Sequence, residues 1–167
     1  DQVFGESING GAFAEFLNVP ASVCAPMPEA IPFEQMASVP IAGLTALQAI
    51  VTHGKVSKGE SVLINGSSGG VGHFAVQIAK IYGAEVTAVC SRKNTHFVKE
   101  MGADHVIAYD EEDIHAHQKK YDLVLDTHGN LRLEDYRRMG KRGVVVGFTT
   151  LGHMITLMVK SLFSKYP

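Results

Sequence analysis

Glycines at positions 66, 69, 70 and 72 constrain this chain more than any other feature. They fall in Ile64-Asn65-Gly66-Ser67-Ser68-Gly69-Gly70-Val71-Gly72-His73-Phe74-Ala75. A short apolar run, Ser61 to Asn65, precedes them, and a helical pattern from His73 to Tyr82, stopped by Gly83, follows. A strand, a glycine turn and a helix in this order let backbone N–H groups approach phosphate oxygens, while the helix N-terminus adds partial positive charge. Gly70 to Ala75 fits G-x-G-x-x-A, and Gly66 to Gly72 fits G-x-x-x-G-x-G. The flanking strand and helix are the context such a motif requires, the alternative being a tight turn without ligand.

The rest of the chain extends this pattern. Strands are predicted over 85–90, 105–109, 123–126 and 143–148. Helices are predicted over 94–101, 131–139 and 154–163, with a weak polar helix over 113–119. Continuous Val/Ile/Leu strands alternating with helices predict a parallel sheet covered on both faces, an α/β doubly wound fold. Residues 1–33 differ, being turn-rich, with short strands expected around Phe13, Phe16, Leu17 and Val19. A helix from Phe33 is expected to end before Pro40, and a second to run from Ile41 to Val51.

Composition narrows the function classes. The chain has 167 residues, 15 Lys+Arg against 17 Asp+Glu, and a net charge of −2, which argues against a basic nucleic-acid-binding face. Hydrophobic residues make up 46%, which excludes a disordered chain. Charged residues make up 19%, below the usual ~25%, so some apolar surface expects cover. No apolar stretch is long and unbroken enough to span a membrane. The start lacks a secretory n-region and h-region, so a soluble, cytoplasmic piece of a longer chain is expected.

The end of the second strand, Val89-Cys90-Ser91-Arg92-Lys93-Asn94, lacks the acid that usually bonds the ribose 2′-OH of NAD. A hydroxyl and two cations stand there instead, which suits a 2′-phosphate and therefore NADP(H). The alternative is a solvated basic turn. A short-chain dehydrogenase is excluded because no Tyr is followed four residues later by Lys. His115-Ala116-His117 is assigned to the surface, since positions i and i+2 do not face each other on a helix. Asp126 and His128 form either an acid–base pair or, through Asp126, a contact to backbone. No G-x-S-x-G elbow occurs, and Cys24 and Cys90 are read as neutral cysteines outside any metal site.

Motifs spread in order along the chain resemble the zinc-independent quinone oxidoreductase branch of the medium-chain dehydrogenase/reductase superfamily. They include 11–15, 39–46, 66–72, 101–109, 125–127 and 146–148, that is Gly-Ala-Phe-Ala-Glu, Val-Pro-Ile-Ala-Gly-Leu-Thr-Ala, the glycine loop, Met-Gly-Ala-Asp-His-Val-Ile-Ala-Tyr, Leu-Asp-Thr and Val-Gly-Phe. The resemblance implies a remnant of a GroES-like catalytic domain over 1–36 and a Rossmann NADP-binding domain, lacking its last strand, over 37–167. It implies that Thr45 lies near the nicotinamide, and that Ser68, Gly69, Gly70, Val71 and Gly72 hold the pyrophosphate. It also implies that Ser91, Arg92, Lys93 and Tyr109 surround the 2′-phosphate. Thr127 and Phe148 should end the fourth and fifth strands where the cofactor crosses. Ile41 stands where zinc-dependent relatives carry a Cys ligand, so no metal is expected. The implied activity is hydride transfer from NADPH to a quinone or activated enone, in a homodimeric parent. Alcohol dehydrogenase or enoyl reductase activity is the alternative within the superfamily, and a non-catalytic nucleotide-binding protein the alternative outside it. The catalytic residues are expected outside this chain, which should bind NADPH but turn over little alone.

Overall fold

The computed structural model describes residues 1–7 and 10–162. The chain divides into two compact units, Asp1–Leu44 and Thr45–Pro167. In the first, strand β1 (Val3–Gly5) pairs antiparallel with β2 (Cys24–Pro26), with Val3 opposite Pro26. No strand forms over 13–19, contrary to the sequence expectation.

Helix α1 is short (Phe33–Met36), and α2 runs over Val39–Leu47. Pro40 therefore sits inside the first turn of α2 rather than stopping a helix. Its missing N–H costs nothing there, because first-turn amides have no intrahelical acceptor. A π-helical turn over Gln48–His53 follows directly and is capped by Gly54, after which Lys55 has a positive φ of 49°.

The second unit contains a five-stranded parallel sheet built from β3 (Ser61–Asn65), β4 (Glu85–Cys90), β5 (His105–Ala108), β6 (Tyr121–Asp126) and β7 (Gly140–Val145). Helices α3 (Gly70–Ile81), α4 (Thr95–Glu100), α5 (Leu133–Met139) and α6 (Leu151–Leu162) connect and flank the strands. The spatial order is β5-β4-β3-β6-β7, all neighbours parallel. The order reverses between β3 and β6, and in such sheets ligands bind outside the carboxyl ends of the strands at that reversal.

Strand alternation sends Val62 and Ile64 of β3 into a core with Ala75, Val76 and Ala79 of α3. Leu63 points the other way, into a core with Leu133, Tyr136 and Met139 of α5 and Leu157 of α6. All three β3 side chains are fully buried, each worth roughly 1.5–3 kcal/mol of transfer free energy. Both faces of the sheet are thus covered, which accounts for the unbroken apolar strands.

Several boundaries differ from the sequence reading. The polar stretch 113–119 contains only a 3-10 turn, Ile114–Ala116, begun by Asp113 accepting from the His115 N–H at 2.8 Å. It has no apolar face to hold a longer helix. The last strand spans Gly140–Val145 rather than 143–148, because Gly140 leaves α5 in extended conformation and pairs at once with Tyr121. Helix α6 starts three residues earlier than expected, and its predicted end at Phe163 lies outside the described residues. Among the described residues, no helix is long and apolar enough to cross a membrane.

Candidate functional site

The glycine loop joins the end of β3 to the start of α3, beside the point where strand order reverses. Gly66 turns the chain with φ +80°. The N–H groups of Gly66 and Ser67 both donate to Val89 O, at 3.2 and 3.0 Å. The buried Ser67 hydroxyl donates to the same oxygen at 2.9 Å, so the loop is fastened to the end of β4. Helix α3 begins at Gly70, within the motif, with Gly69 as its extended N-cap. A Cβ at Gly72 would stand 2.2 Å from Gly66 O, so a glycine is needed where the first turn crosses the loop.

The amides divide into two groups. Gly69 N–H donates to Gly66 O at 3.0 Å, and His73 N–H starts the helical ladder by donating to Gly69 O at 3.1 Å. The N–H groups of Gly70, Val71 and Gly72 have no acceptor among the described residues. Three unpaired donors lie at the positive end of a twelve-residue helix, which is the chemistry an anion requires. The residues present therefore fit a pyrophosphate. Gly69, expected to donate as well, serves as the cap.

At the end of β4, Ser91 is buried, while Arg92 and Lys93 are exposed. Arg92 N–H donates to Asp110 Oδ1 at 2.7 Å, and its guanidinium pairs with Glu111. Tyr109, just past β5, is anchored by its N–H on Cys90 O at 3.0 Å, with its side chain exposed. Ser91, Arg92 and Tyr109 thus lie at adjacent strand ends. Asp110 and Glu111, in an acidic stretch that reads from sequence as solvated, instead engage Arg92. Cys90 is buried, and that burial pushes its thiol up.

At the β6 end, the Thr127 hydroxyl donates to Asn65 O at 2.8 Å and Gly66 O at 3.2 Å, tying β6 to the loop across the reversal. Phe148 lies three residues beyond β7 rather than at its end, and its ring is partly exposed. Thr45 is half-buried on α2, and among the described residues no hydrogen bond links it to the loop.

Asp126 is fully buried and serves the backbone, not an acid–base pair with the His128 ring. Its carboxylate accepts from Asn65 Nδ2 at 2.8 Å, from the N–H groups of His128, Gly129 and Leu131 at 3.0, 2.7 and 3.0 Å, and from Tyr136 OH at 3.1 Å. Asn65, whose Nδ2 also reaches Asn130 Oδ1 at 2.7 Å, was missed by the sequence reading. A polar pair at the ends of neighbouring strands was its only sequence signal. His115 and His117 turn to different partners, Asp135 and Glu112, each at 3.1 Å.

Comparison with known proteins agrees with this geometry. The family model described as zinc-binding dehydrogenase matches residues 70–166. The chain is 34% identical over 152 residues to the chloroplast envelope quinone oxidoreductase homolog of Arabidopsis thaliana, covering 85% of this chain and 46% of that protein. It is 39% identical over 126 residues to a mitochondrial NAD(P)H oxidoreductase of Danio rerio, covering 71% of this chain and 33% of that one. The solved quinone oxidoreductase from Coxiella burnetii superposes with a TM-score of 0.70 at 35% identity, over 83% of this chain and 45% of its own. The chain spans a third to about half the length of these relatives. With an unpaired amide cradle at the reversal of a parallel sheet, and a family match over more than half its residues, the chain belongs to the zinc-binding dehydrogenase family, on the quinone oxidoreductase-like side of the medium-chain dehydrogenase/reductase superfamily.

Proposed function

We propose that the chain is the coenzyme-binding part of an NADPH-dependent reductase acting on a quinone or an activated enone. The observation that carries this reading is the set of unpaired amides at Gly70, Val71 and Gly72, beside the reversal between β3 and β6. In this reading those amides hold the pyrophosphate, and Gly69 and Ser68 shape the loop around it. Ser91, Arg92, Lys93 and Tyr109 take the 2′-phosphate. Thr45, Thr127 and Phe148 border the nicotinamide, which when bound supplies the hydride. Residues 1–36 are assigned to the end of a GroES-like catalytic domain and 37–167 to the coenzyme domain. Ile41 offers no metal ligand. A homodimeric, cytoplasmic parent belongs to the same reading.

Arg92 gives the sharpest test. Its pair with Glu111 is exposed, so exchanging that carboxylate for a phosphate costs only about 0–1 kcal/mol. A charge-assisted bond to phosphate returns roughly 1.5–3 kcal/mol. NADPH should therefore bind more tightly than NADH, and Arg92→Ala should cut the preference about tenfold. Equal dissociation constants for the two cofactors in the unmutated chain would defeat the reading. Steady-state turnover by the full-length parent with a quinone, an enone and an aldehyde identifies the acceptor class.

A further inference from the structure

The hydroxyls around the loop differ in whether their protons are already committed. Ser67 Oγ donates to Val89 O at 2.9 Å, Thr127 Oγ1 to Asn65 O at 2.8 Å, and Thr95 Oγ1 to Arg92 O at 2.9 Å. Each of those protons is held by a backbone carbonyl. Ser68 and Ser91 are different. Both accept from one amide group: Asn94 Nδ2 donates to Ser68 Oγ at 3.0 Å and to Ser91 Oγ at 3.2 Å. Neither serine hydroxyl has an acceptor for its own proton among the described residues.

A hydroxyl has one proton and two lone pairs. When an N–H occupies a lone pair, the O–H must point elsewhere. Ser68 lies in the glycine loop, and Ser91 directly follows β4 beside Arg92. One side chain thus bridges the two places where the proposed cofactor carries phosphate, and it turns both hydroxyls into outward donors. Asn94 itself is half-buried and ends the 3-10 turn that leads into α4, which holds its amide in place.

We propose that Asn94 is a positioning residue for NADPH selectivity. By donating to Ser68 and Ser91, it leaves both hydroxyl protons free for the cofactor's phosphates, with Ser91 serving the 2′-phosphate. This rests on the coenzyme reading above. Asn94 touches no phosphate in this role and acts through the serines.

The test is a double-mutant cycle in the full chain, read as the ratio of NADH to NADPH dissociation constants. Asn94→Ala and Ser91→Ala should each shrink the ratio by about 3–10-fold, the order of one hydrogen bond to a charged group. The double variant should lose no more than either alone, because both changes remove the same donor. Asn94→Asp keeps the shape but accepts from both serines, drawing their protons inward. It should weaken NADPH at least as much as Asn94→Ala, and 0.5 M salt, which screens added charge, should not restore binding. A merely structural role would lower the melting temperature while leaving the cofactor ratio unchanged. An unchanged ratio in Asn94→Ala, additive losses in the cycle, or full NADPH affinity in Asn94→Asp each overturns the proposal while leaving an NADPH preference intact. Equal affinities in the unmutated chain overturn the 2′-phosphate reading, and this proposal with it.

Discussion

Replacing Gly72 by alanine tests the relation between loop packing and anion binding. The new Cβ would lie 2.2 Å from Gly66 O, 2.7 Å from Ser67 Cα and 2.8 Å from Ser67 C. All three are backbone atoms, so no side chain can swing aside. Reaching an ordinary contact of 3.4 Å requires an opening of about 1.2 Å. The loop cannot supply it readily, because Gly66 and Ser67 are pinned to Val89 O by three hydrogen bonds. The start of α3 must move instead, taking the amides of Gly70, Val71 and Gly72 out of register. Overpacking of this kind costs about 2–3 kcal/mol, or roughly 5–10 °C of melting temperature for a chain of this size. NADPH affinity should fall about tenfold or more, since each misdirected amide weakens a charge-assisted bond. Gly69→Ala is the control. Its backbone is ordinary at φ −78°, and its Cβ would meet only Gly66 O, at 3.3 Å, so stability should change by less than about 1 kcal/mol. Thermal melts by circular dichroism and cofactor titration read both effects. A Gly72→Ala protein that melts and binds like the unmutated chain, or a Gly69→Ala protein equally damaged, would refute the argument.

Two predictions concern stability alone. Asp126→Ala strands the Asn65 amide and the loop N–H groups of Gly129 and Leu131 in a buried setting, so urea denaturation should show a loss of about 3–5 kcal/mol, with Asp126→Asn losing less; a loss under 1 kcal/mol would contradict the assigned role. The Lys141 ammonium, followed by the Ser61 N–H, lowers the carboxyl of Asp122 from 3.8 to about 2. Because the folded value is the depressed one, this contribution, about 1–2 kcal/mol after solvent screening, is fully present above roughly pH 4 and fades as pH falls towards 2. The stability gap between the unmutated chain and Asp122→Asn should therefore close between pH 5 and 2.5, and a constant gap would show that Asp122 does not titrate as described.

The sequence shows β3 and β4 with their observed boundaries because each is an apolar run bounded by turn residues and buried on both faces. It misplaces β7 by three residues. Gly140, Lys141 and Arg142 read as a polar turn, yet Lys141 reaches Asp122 at 2.7 Å and Arg142 reaches Glu60 at 2.7 Å. Those partners are 19 and 82 positions away, and local pattern cannot reveal them. The start of α3 is hidden for a different reason. Glycines disfavour helix by about 1 kcal/mol each, so propensity begins the helix at His73, whereas close packing of Gly72 on the loop begins it at Gly70. The glycine motif and the basic turn at 91–93 are legible because their chemistry lies in consecutive residues. Asn65, Asn94 and Asp126 are not, because what they do depends on partners from other strands and turns.

Those three residues tie together the backbone at the mouth of the sheet. Asp126 and Asn65 lock the β6 loop to β3, Ser67 locks the glycine loop to β4, and Asn94 links that loop to Ser91. Among the described residues, every buried side-chain nitrogen and oxygen has a partner. Polar satisfaction therefore fixes the backbone around the reversal, while the amides of Gly70, Val71 and Gly72 have no acceptor among the described residues. Donors already held in place need not be ordered when an anion arrives, so more of their interaction free energy goes into binding. In the proposed reading, a nicotinamide bound to such a frame would be held in one orientation, and orientation is what a protein can contribute when the hydride chemistry resides in the cofactor.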